Sequence, residues 1–255
     1  MINFMKFSPP FEPARFLKRY KRFFADLQLA DGSIETAHCP NTGSMLNCLE
    51  EGSVCYFSRS DNPKRKLKTT LEYVTCTSGK LACINTHRAN QIVKEALFAR
   101  EIEELADYHE IASEVKYGAE NSRIDFKLSV EGRPDCYVEV KSLTLAEIEN
   151  ENEGQGRSQK IIGYFPDSVT ARGQKHVREL IGMAAEGHRA VLLFCVQHQD
   201  IDLVRVAGHI DAKYAQLIGE AIDCGVEILA YQASLRPEEL KIEKRIPFER
   251  VHSEH

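Results

Sequence analysis

Between Arg123 and Ser142 the chain alternates polar and apolar residues in two runs, with Glu131-Gly132-Arg133-Pro134-Asp135 between them. Period-two alternation dictates strands, and a short Gly/Pro/Asp segment between two such runs dictates a hairpin. A five-residue loop from Glu131 to Asp135 sets Val130 opposite Cys136, Lys127 opposite Glu139 and Asp125 opposite Lys141. Residues i and i+2 of a strand share a face. The pattern therefore puts Asp125, Lys127, Glu139 and Lys141 on one face, and Ile124, Phe126, Leu128, Val138 and Val140 on the other. A register slip of two residues keeps that division; a slip of one destroys it. Any fold of this chain must bury the apolar face and account for two acids and two bases on the other.

The elements around the hairpin narrow the fold class. Before it, residues 88–105 place Ile92, Val93, Ala96, Leu97, Ile102 and Leu105 at helical spacing, followed by a strand at Ile111–Tyr117. After it comes an acidic, Gly-rich stretch, 147–160, read as a mobile loop. A helix is expected over Val169–Glu186 with Asp167 or Ser168 as its N-cap, then a buried strand over residues 189–197. A second helix, Asp211–Cys224, ends at Gly225, and Val226–Tyr231 reads as the last strand. Residues 86–255 thus read αβββαβαβ, a mixed sheet flanked by helices.

Residues 1–85 read differently. Strand-like runs fall at Tyr20–Leu29, Ile34–His38, Val54–Ser58, Leu67–Thr77 and Leu81–Ile84, with a Pro/Asn/Gly loop at Cys39–Met45. Short strands at this density predict a small barrel, of which the OB-fold is one form. A chain of 255 residues has room for two such units, 1–85 and 86–255. Their charge differs. The first holds 12 Lys and Arg against 8 Asp and Glu, a net of +4; the second is at −9. The basic residues cluster as Lys18, Arg19, Lys21 and Arg22, and as Lys64, Arg65 and Lys66. One reading is solvated strand ends and a loop. The other is a groove tracking a phosphate backbone, with Tyr20, Phe23 and Tyr56 as stacking platforms.

The eight cysteines form no CxxC pair, which argues against a zinc ribbon or a thioredoxin-like motif and suits small buried hydrophobes in a reducing compartment. No apolar run reaches membrane-spanning length and the first residues lack the order of a signal peptide, so the expectation is a cytoplasmic protein with no membrane partner. There is no Walker P-loop, no complete dinucleotide fingerprint and no GxSxG elbow.

Two readings compete for the polar face of the hairpin. It can be a set of cross-strand salt bridges on a solvated sheet. Or it can be a metal site: Asp125 and Glu139 supply hard oxygen ligands suited to Mg²⁺ or Mn²⁺, while Lys141 orients an attacking water and offsets charge on a phosphate. An acid, then Glu-x-Lys on the next strand, is the pattern of nucleases with the PD-(D/E)xK core. Pro134-Asp135 is the literal Pro-Asp pair, but it sits in the turn, where those residues are ordinary; Asp125 is the expected partner of Glu139. Glu95, on the preceding helix, is a third candidate ligand or else a surface glutamate. Arg172, Gln174, Lys175 and His176 open the following helix, where Arg172 or Lys175 could meet phosphate.

Four segments carry a resemblance: "HCPNTGSM" (38–45), "SEVKYGAENSRIDF" (113–126), "EVKSLTL" (139–145) and "GYFPDSVTARGQKHVREL" (163–180). In order and over nearly the whole chain, they resemble the sugar fermentation stimulation protein (SfsA) family. The resemblance implies an N-terminal OB-type barrel and a C-terminal restriction-endonuclease-like domain. It also implies DNA binding without sequence specificity, RNA being the other candidate, and a nuclease-like triad of Asp125, Glu139 and Lys141. Stretch 146–160 looks longer than that family's usual spacing. The alternative function it implies is a non-catalytic DNA-binding factor acting on maltose and sugar metabolism. The intact Asp-Glu-Lys set favours the nuclease, since carboxylates in a phosphate groove repel the backbone unless a cation is bound. The basic N-terminal part favours a polymer over a small phosphoester. In the Cys39–Met45 loop, Asn41, Thr42 and Ser44 either hold a turn together or bind phosphate.

Overall fold

The computed structural model describes residues 5–250 other than 42, 44, 46, 121, 154 and 155, with side chains described outside 150–158. Strand β1 is Met5–Lys6, and β2 to β7 are Glu12–Tyr20, Phe24–Gln28, Ile34–His38, Val54–Arg59, Thr69–Thr75 and Leu81–Cys83. They pair in the order β4-β3-β2-β5-β6-β7 without β1, and β4 also meets β6 at His38–Thr70. That last bridge closes five strands into an OB barrel filled by Phe16, Ala25, Leu27, Ala37, Cys55, Phe57 and Leu71. The single strand expected over Tyr20–Leu29 is instead a hairpin. The chain reverses at Lys21 and Arg22, both at positive φ (47° and 62°). Bulky non-glycine residues rarely adopt that conformation, so nothing in the sequence signalled the turn.

The rest of the chain builds a larger sheet. Its elements are α1 (His87–Ala99), β8 (Glu110–Tyr117), β9 (Ser122–Ser129), β10 (Cys136–Leu143), β11 (Leu145–Glu153) and β12 (Gly156–Phe165). Then come α2 (Ala171–Ala185), β13 (Arg189–Val196), β14 (Leu203–Val206), α3 (Ala212–Asp223), β15 (Glu227–Arg236), β16 (Glu239–Arg245) and β17 (Phe248–Glu249). Seven strands order as β1-β16-β15-β13-β10-β9-β8, with β10, β13 and β15 parallel at the centre. Strand β13 is buried on both faces, as its unbroken apolar run requires. Val191, Leu193 and Cys195 pack with Ile92 and Val93 of α1, while Ala190, Leu192 and Phe194 pack with Leu180 of α2 and Tyr214 of α3.

Four expectations need correction here. The first helix stops at Ala99, where Arg100 turns left-handed (φ 60°). Ile102 and Leu105 are buried beyond that break, so their spacing imitated a longer helix. Stretch 147–160, read as a mobile loop, lies in the two-stranded ribbon β11–β12, paired from Leu145–Tyr164 to Glu153–Gly156. Its alternation of acids and polar residues hides a strand pattern, because neither face is mainly apolar. The second large helix is capped by Thr170, whose hydroxyl accepts from Gly173 N–H at 3.0 Å, not by Asp167 or Ser168. Finally, Val226–Tyr231 is only the start of β15, and two further strands follow it.

Barrel and sheet meet along a hydrogen-bonded seam. Ala82 of β7 forms a bridge with His198, Cys83 N–H donates to the Gln197 carbonyl at 2.9 Å, and Gln199 N–H donates to the Leu81 carbonyl at 3.1 Å. Farther along, the Asn47 amide donates to the Ala146 carbonyl at 3.1 Å. Among the described residues no helix is long and apolar enough to cross a membrane.

Candidate active site

The hairpin β9–β10 forms in a register two residues from the expected one. Cys136, Tyr137 and Val138 pair with Leu128, Lys127 and Phe126. Lys127 accordingly faces Tyr137, and its ammonium pairs with Asp135 in the turn at 2.7 Å, not with Glu139. Asp135 also accepts from the Ser129 hydroxyl at 2.6 Å, which fits its reading as a turn residue.

Beyond Phe126 the two strands part. On β8, Glu114 sits at φ 56° between the pairs Ser113–Phe126 and Val115–Ile124, at the level of Asp125. Ile124, expected to share a core with Phe126 and Leu128, packs instead with Tyr117, Leu143 and Leu192. The Val140 N–H is taken by Asp125 Oδ2 at 2.7 Å, a side chain standing where a strand partner would stand. Asp125 Oδ1 accepts from the Asn90 amide of α1 at 2.6 Å.

Glu139 and Lys141 face α2. Glu139 is 2% exposed. Its Oε1 receives the Lys141 ammonium at 2.6 Å and also meets His176 Nδ1. Arg172 Nε lies 3.4 Å from His176 Nε2, and the Lys141 ammonium lies 3.3 Å from His176 Nδ1. Thr170 and Asp211 set the start of α2: Asp211 accepts from Thr170 N–H at 2.9 Å and from the Gln174 amide at 3.0 Å. His176 is thereby held over β10.

The two acids are held in opposite senses. Burial, and next the charge of Glu139, push the Asp125 carboxyl up to about 6, against the pull of Val140 N–H, Lys141 and Asn90. Burial also pushes Glu139 up, but Lys141 and His176 outweigh it and hold Glu139 below its ordinary value. Glu139 Oε2 is buried with no hydrogen-bond partner. Two neighbouring carboxylates, one destabilised by the other and one with an orphaned oxygen, make a donor set that fits a hard divalent cation completed by waters. The described residues hold no group of three or more His, Cys, Asp or Glu that could enclose a metal alone.

The remaining candidates divide. Arg172 reaches the site's edge through His176. Lys175 is turned to the Glu120 carbonyl. Glu95 does not join Asp125: it lies toward Met5 of β1, its carboxyl raised by burial. On α1 the residue that touches the site is Asn90, a polar side chain one turn before Val93 on the buried stripe, and that position was its only signal. In the barrel, Arg19 donates to the carbonyls of Asn41 (2.6 Å), Gly43 (3.0 Å) and Arg22 (3.0 Å), which makes it a brace for the loop. Asn41 Oδ1 accepts from Gly43 N–H at 2.8 Å, the turn-holding role; Thr42 and Ser44 lie outside the described residues. Lys18 pairs with Asp26 at 3.6 Å, Lys21 and Arg22 form the tight turn, and Lys64 and Lys66 are exposed beside half-buried Arg65.

Comparison with known proteins follows the same division. The family model "SfsA N-terminal OB domain" matches residues 17–84, and "Sugar fermentation stimulation protein RE domain" matches 87–239. A sugar fermentation stimulation protein homolog from Pseudoalteromonas translucida (strain TAC 125) is 54% identical over 244 residues, 96% of this chain and 100% of the relative. Among solved structures, Pyrococcus furiosus SfsA in complex with Ca²⁺ superposes with a TM-score of 0.80 at 27% identity, covering 98% of this chain and 100% of that one.

Proposed function

This chain belongs to the sugar fermentation stimulation protein family, and we propose that it is a divalent-metal-dependent nuclease that hydrolyses phosphodiester bonds in DNA or RNA. The observation that carries this reading is the conflict between Asp125 and Glu139. Burial and the charge of Glu139 raise the Asp125 carboxyl in a place where Glu139 Oε2 is buried without a partner, an arrangement relieved by a cation. The calcium in the Pyrococcus furiosus relative supports a divalent ion, with Mg²⁺ or Mn²⁺ as the working metal.

Asp125 and Glu139 would hold the ion, which supplies an activated water and charge neutralisation at phosphate. Asn90 and the Val140 N–H fix the Asp125 carboxylate, so it needs no reorganisation on binding. Lys141, held by Glu139, presents positive charge where a phosphoryl oxygen gains negative charge as water attacks phosphorus and the P–O bond to the leaving strand breaks. His176 orients Glu139, and Arg172 at the rim meets the phosphate backbone. The net +4 of residues 1–85 favours a polymer over a small phosphoester.

The test is incubation with labelled DNA and RNA in Mg²⁺, Mn²⁺ or EDTA, alongside calorimetric titration of Mn²⁺. Cleavage that needs the ion is the expected result. No Mn²⁺ binding and no cleavage would remove the nuclease reading and leave a nucleic-acid binder.

A further inference from the structure

A second polar site lies away from the carboxylates, on the barrel side of α1. The segment after β1, the barrel strands β4 and β5 and the start of α1 enclose a cleft of ≈ 780 Å³. Most charges lining it are neutralised. Arg88 binds Glu72 at 2.8 Å, and Arg59 binds Glu12 and Glu35 at 3.0 Å each. Other groups are different. Among the described residues, Lys6, His38, Asp61, Arg65 and His87 make no ion pair, although all five line the cleft. Burial, and next the charges of Arg65 and His87, hold the His38 imidazole below its ordinary value. Arg65 is oriented by a hydrogen bond to the Thr70 hydroxyl at 2.8 Å, so the guanidinium is positioned without being neutralised. An unpaired guanidinium held in place beside two imidazoles, with Lys6 near them, offers donors and positive charge to an anion, with Asp61 the unpaired carboxylate opposing it.

We propose that this cleft is a phosphate subsite for the nucleic-acid strand, with His38, Arg65 and His87 as its contacts. The proposal rests on the nucleic-acid reading above, and helix α1 connects the two places. His87 and Asn90 are three apart on α1, hence neighbours one turn along the same helix face. Asn90 holds Asp125. A strand whose scissile phosphate sits at Asp125 and Glu139 therefore has another phosphate within reach of His87. The Phe57 ring, also in the cleft wall, is covered by Arg59 at 4.9 Å, so the recognised element is the charged backbone, not a stacked base.

The test is performed in EDTA, so that binding is read without cleavage. A fluorescent oligonucleotide is titrated into wild type, H38Q/H87Q, R65Q, D125N and, as a generic charge control, K213Q. The other charges facing the cleft are Lys6, Arg59 and Arg88, with Glu12, Asp61 and Glu72 opposing them. H38Q/H87Q should bind more weakly than wild type and than K213Q. R65Q should lose affinity about tenfold, as the loss of a charge-assisted contact implies, and lower the salt slope by about 1. D125N should bind at least as tightly as wild type. Thermal melts establish that each variant is folded. Wild-type affinity in both R65Q and H38Q/H87Q, or losses no larger than that of K213Q, would overturn the subsite while leaving the Mn²⁺ test of the nuclease untouched. Equal affinity for the oligonucleotide, a mononucleotide and inorganic phosphate would overturn the strand and leave a free-phosphate site.

Discussion

In the barrel, several charges lie at the surface and are answered by their opposites: Lys18 by Asp26, Arg59 by Glu12 and Glu35. In the sheet, charge is buried and in conflict. Asp125 is raised by burial and then by Glu139, while Glu139 is lowered by Lys141 and His176 against its burial. Exposed pairs are screened by water and contribute little to stability. Buried like charges are destabilising unless something arrives to relieve them, which is why perturbed ionisation marks functional sites. The two halves thus use the same residue types for different ends, and the position of Asp125 beside Glu139 distinguishes them better than net charge does.

The largest expected effect breaks the conflict itself. Asp125→Asn and Glu139→Gln should each abolish Mn²⁺ binding in calorimetry and lower any cleavage by orders of magnitude, whereas Lys141→Ala should lose cleavage and keep the metal. Retained metal binding in both acid variants would return the face to salt bridging. Stability should separate the same two acids by sign. Glu139→Gln strands Lys141 and His176 and should destabilise by about 3 kcal/mol in urea denaturation. For Asp125, raised to about 6, the folded state binds the extra proton between its unfolded value and about 6, so its contribution to stability falls as pH rises through that window. Asp125→Asn lacks that loss, and should gain ~2 kcal/mol on wild type between about pH 4 and about pH 7. A difference between variant and wild type that does not change between about pH 4 and about pH 7 would refute the conflict.

In the barrel the effects are smaller and salt-dependent. Lys64→Gln with Lys66→Gln should weaken binding to every nucleic-acid sequence alike and lower the salt slope by about 1 per lysine. Arg59→Gln should cost at most ~1 kcal/mol, and that deficit should vanish in about 1 M salt while the Glu139→Gln deficit persists. Equal salt sensitivity in the two would erase the contrast between the halves.

How legible was this in the sequence? Alternation placed Glu139 and Lys141 on one face, because two residues on a central strand cannot do otherwise. The expected register was two residues off, since a turn of Gly, Arg, Pro and Asp leaves its own length open, yet the face survived the slip. Asp125 was picked out by parity, but its contacts, the Val140 N–H and the Asn90 amide, are ones that no residue type announces. Glu95 was chosen for its charge, and the helix turned Asn90 to the site instead. The ribbon β11–β12 escaped detection because residues 147–160 alternate acids with other polar residues and carry few apolar ones to mark a face.

The seam between barrel and sheet has a mechanical consequence. Ala82, Cys83 and Leu81 are joined to residues 197–199 by the main chain itself, in the manner of neighbouring strands. Such a joint has no hinge: opening it would break several backbone hydrogen bonds at once. The distance between the basic barrel and the carboxylates is then set when the chain folds, not when a ligand arrives.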